Sequence, residues 1–374
     1  GAEGQWIDGD FVRFRYGQPE KIGGFQAIGQ KTISGPARAQ HCWNDLEGRK
    51  YSALGTSKAL YIYYEDAFYD ITPLATALTG ATFTSTASSS TITVNKNSHA
   101  LDVGEYITFT SVTVPGSSSF VDTDFTSFTF EILTTTTNSF TITMQTTETG
   151  TPMTAAGSAS INPYEEIGPT IQTYGYGWGT STWGTVGWGN QTTSTQVILD
   201  PGSWSLDNFG QVLIATIKDG KTFTWNAGAA NPLQTRATLM TGAPTASRLT
   251  IVSDRDRHVV HFGTETTIGN TTTQDPMFIR FSNQEDFNTY LPTSTNTAGT
   301  FRLDTGNKIV AAVSGKDYNL ILTDTAAYVM QFVGPPFTFS IRQVGSNCGC
   351  IGQHAVVYAD GQVFWMGTGG GFFK

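Results

Sequence analysis

The chain has 374 residues, 39% hydrophobic and 12% aromatic, which is apolar material enough for a sizeable core and excludes a disordered polymer. Only 14% of its residues are charged, and 21 Lys and Arg against 30 Asp and Glu leave a net charge of −9. A chain this acidic repels nucleic acid, which excludes groove binding and sequence reading but leaves open a conduit along which DNA slides without sticking.

Alternating strands dominate, and helical periodicity is nearly absent. The chain is expected to be all-β. WIDGDFVRFR (6–15) sets Asp8-Gly9 before a strand with Phe11, Arg13 and Arg15 on one face and Val12 and Phe14 on the other. Cys42 comes next, far from Cys348 and Cys350. Three cysteines make no disulfide framework, and Cys348-Gly-Cys350 lacks the second ligand pair of a zinc site. They are expected to be structural thiols, with no metal and no cofactor.

Residues 76–162 differ in kind. Within the 85 residues 76–160 there are 37 Ser and Thr and one basic residue, Lys96. Alternating pairs such as Ile92/Val94, Ile107/Phe109, Phe128/Phe130/Ile132 and Phe140/Ile142/Met144 predict an inserted small β-barrel or sandwich. It would be entered after Pro73 and left near Pro163. The expected division is 1–75 for N-terminal propeller strands, 76–162 for the insert and 163–374 for the remaining blades.

After the insert comes TYGYGWGTSTWGTVGWGN (173–190), in which Trp178, Trp183 and Trp188 stand five residues apart among glycines, with Tyr174 and Tyr176 beside them. That spacing fits neither strand nor helix, so a structured coil is expected. It can be packing within the chain, a clasp between subunits, or a sugar-stacking platform. IKDGKTFTW turns at Asp219-Gly220, YNLILTDTAAYVMQFVG reads as a hairpin, and VVYADGQVFWMG turns at Asp360-Gly361. Outside the insert roughly 290 residues remain, and at roughly 40–45 per four-stranded blade they predict six or seven blades of a β-propeller-like array. No repeat signature recurs, and stacked sandwiches would fit the spacing almost as well.

Several segments in order resemble the tail nozzle or hub family of short-tailed bacteriophages, also described as packaged-DNA-stabilising or tail tubular proteins. They are WIDGDFVRFRYGQPEKIGGF (6–25), the Gly-Trp-Gly run, WSLDNFGQVLIAT (204–216), MFIRFSNQEDFNTY (277–290), ILTDTAAYVMQFVGPPFTF (321–339) and HAVVYADGQVFWMGTGGGFF (354–373). Within the insert, SHALDVGEYITF (98–109) is similar to a turn in small barrels of such proteins. The resemblance implies a virion tail protein forming a homo-oligomeric ring, usually a hexamer, below the portal and adaptor. Its partners would be adaptor or portal-proximal tail proteins, tail fibres or the tail tip, and DNA passing without sequence-specific binding.

Chemistry is sparse. IKDGKTFTW and YADGQVFW both miss the Asp-box of sialidase propellers, the first having Ile217 in place of Ser. In SDRDRHVVHF (253–262), Asp254 and Asp256 are expected to share a strand face within reach of a cation, while His258 and His261 have opposite parity. A solvated turn is the simpler reading. GTGGGFF (367–373) lacks the Lys of a phosphate loop, and His99 is expected to cap a turn. No apolar run approaches the ~18 residues of a membrane helix. The start lacks the basic and apolar regions of a signal peptide, and both ends suggest a fragment or processed product. The functional expectation is a non-enzymatic nozzle subunit, with a glycan-binding tail fibre or adhesin as the alternative.

Overall fold

Turn residues that accept positive φ cut the chain into hairpins. In the computed structural model, which describes residues 10–24, 33–169 and 200–374, Asp360 (φ 50°) and Gly361 (φ 79°) join Val356–Ala359 to Gln362–Met366. Two central residues of positive φ give the tight turn whose twist matches paired strands. Tyr16 (φ 52°) and Gly17 (φ 77°) do the same between Val12–Arg15 and Gln18–Lys21.

These hairpins build an all-β fold with five small antiparallel sheets, the blades of a β-propeller-like ring, among the described residues. Blade 1 comprises Ala37–Asn44, Lys50–Thr56, Leu60–Tyr64 and Ala67–Asp70. Blade 2 comprises Trp204–Phe209, Val212–Ile217, Thr222–Asn226 and Thr238–Leu239; blade 3, Leu249–Ser253, His258–Phe262, Phe278–Phe281 and Gly299–Arg302. Blade 4 comprises Ile309–Ser314, Asn319–Thr323, Ala326–Gly334 and Thr338–Ser346, and blade 5 Val356–Ala359, Gln362–Met366 and Phe372–Phe373. Counting residues predicts six or seven blades. Among the described residues fewer form, because blade 3 spends 263–277 and 282–298 on connections and the Val12–Lys21 hairpin joins no blade.

The first strand of each blade lies innermost, against the first strands of its neighbours. Contacts between them climb together: Ser205 Oγ bonds Thr250, and Asp207 bonds Val252 two residues on. The inner strands of blades 2 and 3 therefore run parallel. Each consecutive pair of blades buries its own apolar cluster. Trp43, Tyr51 and Trp225 lie between blades 1 and 2, and Phe209, Val259 and Tyr290 between 2 and 3. Phe262, Ile321 and Met330 lie between 3 and 4, and Leu322, Val363 and Trp365 between 4 and 5. Burying each such side chain stabilises by ~1.5–3 kcal/mol relative to exposure. Trp204 sits where blades meet: its Nε1–H donates to the Thr56 carbonyl at 2.9 Å, and its own carbonyl accepts from Gln353 Nε2 at 3.4 Å.

Blades 1 and 4 share a turn that composition hides. Thr56 and Thr323 each accept the N–H of the Ala three residues on, Ala59 and Ala326, and donate back to its carbonyl. Two residues further, Tyr61 and Tyr328 accept at their hydroxyls from Ser34 N and Thr305 N, before the inner strand. Threonine suits this role because its hydroxyl substitutes for backbone partners in a tight turn.

The Ser/Thr-rich segment forms one seven-stranded sheet curled into a half-barrel. Its order is Phe130–Glu131, Tyr106–Thr113, Ala156–Pro163, Leu78–Ser85, Thr91–Asn95, Ser139–Thr143, Thr134–Thr135. Phe83, Phe109, Phe125 and Phe140 fill its concave side. The strand expected through Phe128, Phe130 and Ile132 is reduced to Phe130–Glu131, and Phe128 is exposed. A helix, Asp122–Thr126, replaces its approach, since the Asp124 carboxylate accepts from Val121 N and Asp122 from Val114 N. His99 caps its turn as expected, accepting Leu101 N at Nδ1 (3.0 Å), with Nε2 2.7 Å from the Thr136 carbonyl. A polar joint ties this sheet to the blades. Arg236 donates to Asp70 (3.2 Å) and to the Tyr164 hydroxyl (3.1 Å), which also meets Thr129 and Asp70.

Candidate functional site

The densest ionisable region lies along the inner strands. Trp204–Phe209 is largely buried, yet it carries Asp207 and Asn208 in mid-strand. Alternation turns Asp207 toward blade 3, where Oδ2 accepts Val252 N at 2.7 Å, while Oδ1 accepts Asn208 N at 2.8 Å. His41, on the inner strand of blade 1, reaches across with Nε2 2.8 Å from Asn208 Oδ1 and 3.8 Å from Asp207. Burial pushes the Asp207 carboxyl up to about 6, against the opposing pull of His41 and the two backbone N–H groups. Asp207 thus changes charge near neutrality, but both of its oxygens already hold partners within the protein.

The segment 253–262 does not form the face expected of it. The inner strand ends at Ser253, and residues 254–257 are a turn, so Asp254 and Asp256 share no strand. Asp254 points to solvent. Asp256 is buried, accepting from Ser253 Oγ and lying 3.0 Å from His258 Nδ1. Ser253 Oγ also accepts from Asn319 Nδ2 of blade 4 at 3.0 Å. The opposite parity of the two histidines holds. His258 packs against Phe281, Phe332 and Phe339 on the blade 4 side. His261 faces the other way, with Nδ1 3.0 Å from Ser247 Oγ and Nε2 3.0 Å from the Tyr290 hydroxyl. Burial, then the Arg280 charge, hold the His261 pKa down at about 3, so it is neutral.

Asp256, His258 and Thr297 are connected as acid, imidazole and hydroxyl, since His258 Nε2 lies 3.1 Å from Thr297 Oγ1. That connectivity is the logic of an activated nucleophile. Here Thr297 Oγ1 already donates to Asn283 and accepts Gln284 N, and the His258 ring is fully buried. No substrate can meet it. At the opposite end of the inner strands, Asp200 gathers Lys218 (3.0 Å), Arg248 (3.8 Å) and Lys308 (4.0 Å) from blades 2, 3 and 4.

Tyr174, Tyr176, Trp178, Trp183 and Trp188 lie outside the described residues. Cys348 and Cys350 are buried and free, and burial pushes both thiols up. Among the described residues no group of three His, Cys, Asp or Glu is placed to hold a metal ion, and no helix is long and apolar enough to cross a membrane. The residues missed by sequence reading are His41, Asp207 and Asn208. For Asp207 and Asn208 the signal was a polar pair in a strand that is otherwise mostly apolar, two residues before the Gly210-Gln211 turn.

No family model matches the sequence, and no curated protein matches it. Among solved structures, a phage phi92 endosialidase is similar at a TM-score of 0.31 and 12% identity, over 93% of this chain and 55% of that one. The chain therefore spans about half the length of that protein.

Proposed function

We propose that this chain is a structural virion protein, a subunit of the phage tail nozzle or hub ring that retains packaged DNA and forms its exit path. The observation that carries the reading is the use of buried and half-buried polar groups as struts between blades. Asp207 ties blade 2 to blade 3, His41 ties blade 1 to blade 2, and Ser253 with Asn319 ties blade 3 to blade 4. A scaffold tied blade to blade by satisfied polar groups is stiff, as a wall under internal pressure must be. The net charge of −9 adds to this, because a passing polyanion finds little to condense on. The order of the segments resembling nozzle proteins favours the same role. In it the chain catalyses nothing and works as a ring of copies against adaptor and tail-tip neighbours.

Cryo-electron microscopy of the parent particle's tail vertex tests this. Copies closed into a ring on the tail axis are the expected result. Density for this chain at the periphery or distal tip would replace the reading with that of a glycan-binding fibre or adhesin.

A further inference from the structure

Blade 3 carries a buried cation that no carboxylate among the described residues touches. Arg280 lies mid-strand between His261 and Thr300 and is only 3% exposed. Its Nη2 donates to the carbonyls of Thr266 (2.8 Å) and Glu265 (3.2 Å), and Nη1 to that of Tyr290 at a long 3.4 Å. Nε donates to nothing, and among the described residues no carboxylate oxygen lies within 4.0 Å of the guanidinium. The nearby Glu265 carboxylate is occupied by Thr245 and by Gly269 N (2.7 Å). Burial of the guanidinium is costly and outweighs the pull of the Glu265 charge, which reaches it without touching it, so its pKa is lowered.

Arg280 also forms part of the wall of a cavity of about 680 Å³. The loops 266–268 and 288–292 and the face of the strand Phe278–Phe281 enclose it. That volume lies in the range of small-molecule sites. The lining has three chemistries: the Arg280 cation, the ring of Phe278, and a set of hydroxyl and amide groups including Thr267, Asn288 and Thr300. Arginine is the side chain best matched to a carboxylate, aromatic rings suit the apolar face of a sugar, and hydroxyls and amides exchange hydrogen bonds with sugar hydroxyls.

We propose that this cavity binds a carboxylate-bearing sugar unit, with Arg280 supplying the counter-charge and the Phe278 ring flanking the sugar. The inference goes beyond the role in the tail and stands or falls separately from it, since it rests on the cavity and not on where the chain sits in a particle. Titration calorimetry on the full chain, with glucuronate and with neutral glucose, reads it directly. Glucuronate is expected to bind, and glucose at least about tenfold more weakly, the difference a charge-assisted pair makes. Arg280→Met is expected to abolish glucuronate binding. Because Arg280 also clamps two loops, Thr300→Trp gives a second variant: Thr300 is exposed on the outermost strand and lines the cavity. It is expected to fill the site and remove binding while leaving the melting temperature unchanged. Equal binding of the two sugars, binding of neither, or glucuronate binding that survives Thr300→Trp would overturn the proposal.

Discussion

The half-barrel and the blades bury charge by opposite means. In the half-barrel, Glu148 is fully buried with no cation beside it. It accepts hydrogen bonds from Ser118 Oγ (2.7 Å), Ser119 N and Oγ (2.8 Å each), Gly150 N (2.9 Å) and Ser85 Oγ (3.0 Å). Burial pushes its pKa up, but these bonds prevail and hold it at about 2. Asp207 in the blades has two backbone donors and a histidine at a distance, and there burial prevails. Donor count decides which side wins. A Ser/Thr-rich composition therefore equips the half-barrel to hold an ionised carboxylate without a cation.

The largest effect that sharpens this contrast is Trp204→Ala. Losing a fully buried indole at the meeting point of blades 1 and 2 is expected to cost ~3–5 kcal/mol. Tryptophan fluorescence does not report the half-barrel, since all eight tryptophans lie outside 76–162. Denaturant unfolding by fluorescence should shift, while the half-barrel, followed by NMR of its threonine methyl groups, holds its midpoint. A common shift would mean the two regions unfold as one.

Next comes Glu148→Gln, expected to destabilise by roughly 2 kcal/mol at neutral pH through loss of charge-assisted bonds. Its pKa is depressed in the folded state, so its contribution is complete above the ordinary value of 4.5 and fades as pH falls toward 2. Melting temperatures of the wild type and variant should converge across that window. A constant gap would show that shape, and not charge, matters there.

Asp207→Asn is smaller and opposite in sign. Its pKa is raised when folded, so stability falls as pH rises from about 4 to about 6. The amide keeps an acceptor for Val252 N, and the variant is expected to gain ~1–2 kcal/mol at pH 7 and nothing at pH 3.5. Calorimetric scans at the two pH values decide it. Equal gains at both would remove the charge from the explanation.

Much of the architecture was legible because hairpins announce themselves locally. Asp360-Gly361 and the alternation of Tyr328, Met330 and Phe332 specify pairing without reference to anything distant. Blade number was not legible, because it depends on how many residues connections consume. The Thr-x-x-Ala-x-Tyr turn shared by blades 1 and 4 recurs across 267 positions, too sparse a pattern to stand out before its hydrogen bonds are seen. The site was hidden for a similar reason. His41 and Asn208 are 167 residues apart, and no local pattern reports a pairing made by packing one blade on the next. In 253–262 the turn itself was legible, but the burial of Asp256 against His258 was not, because it is made by packing.

Blade 5 has three strands, and its apolar cluster joins it to blade 4 through one face only. Its other face leaves Val357, Phe364 and Phe372 exposed, the last at 81%. A blade packed through one face opens more readily than one packed through both. Amide deuterium uptake should therefore form a gradient, slowest in blades 2 and 3 and fastest in Gln362–Met366. Where that blade opens, a protease would find its first cut, while the blades packed on both faces stay intact.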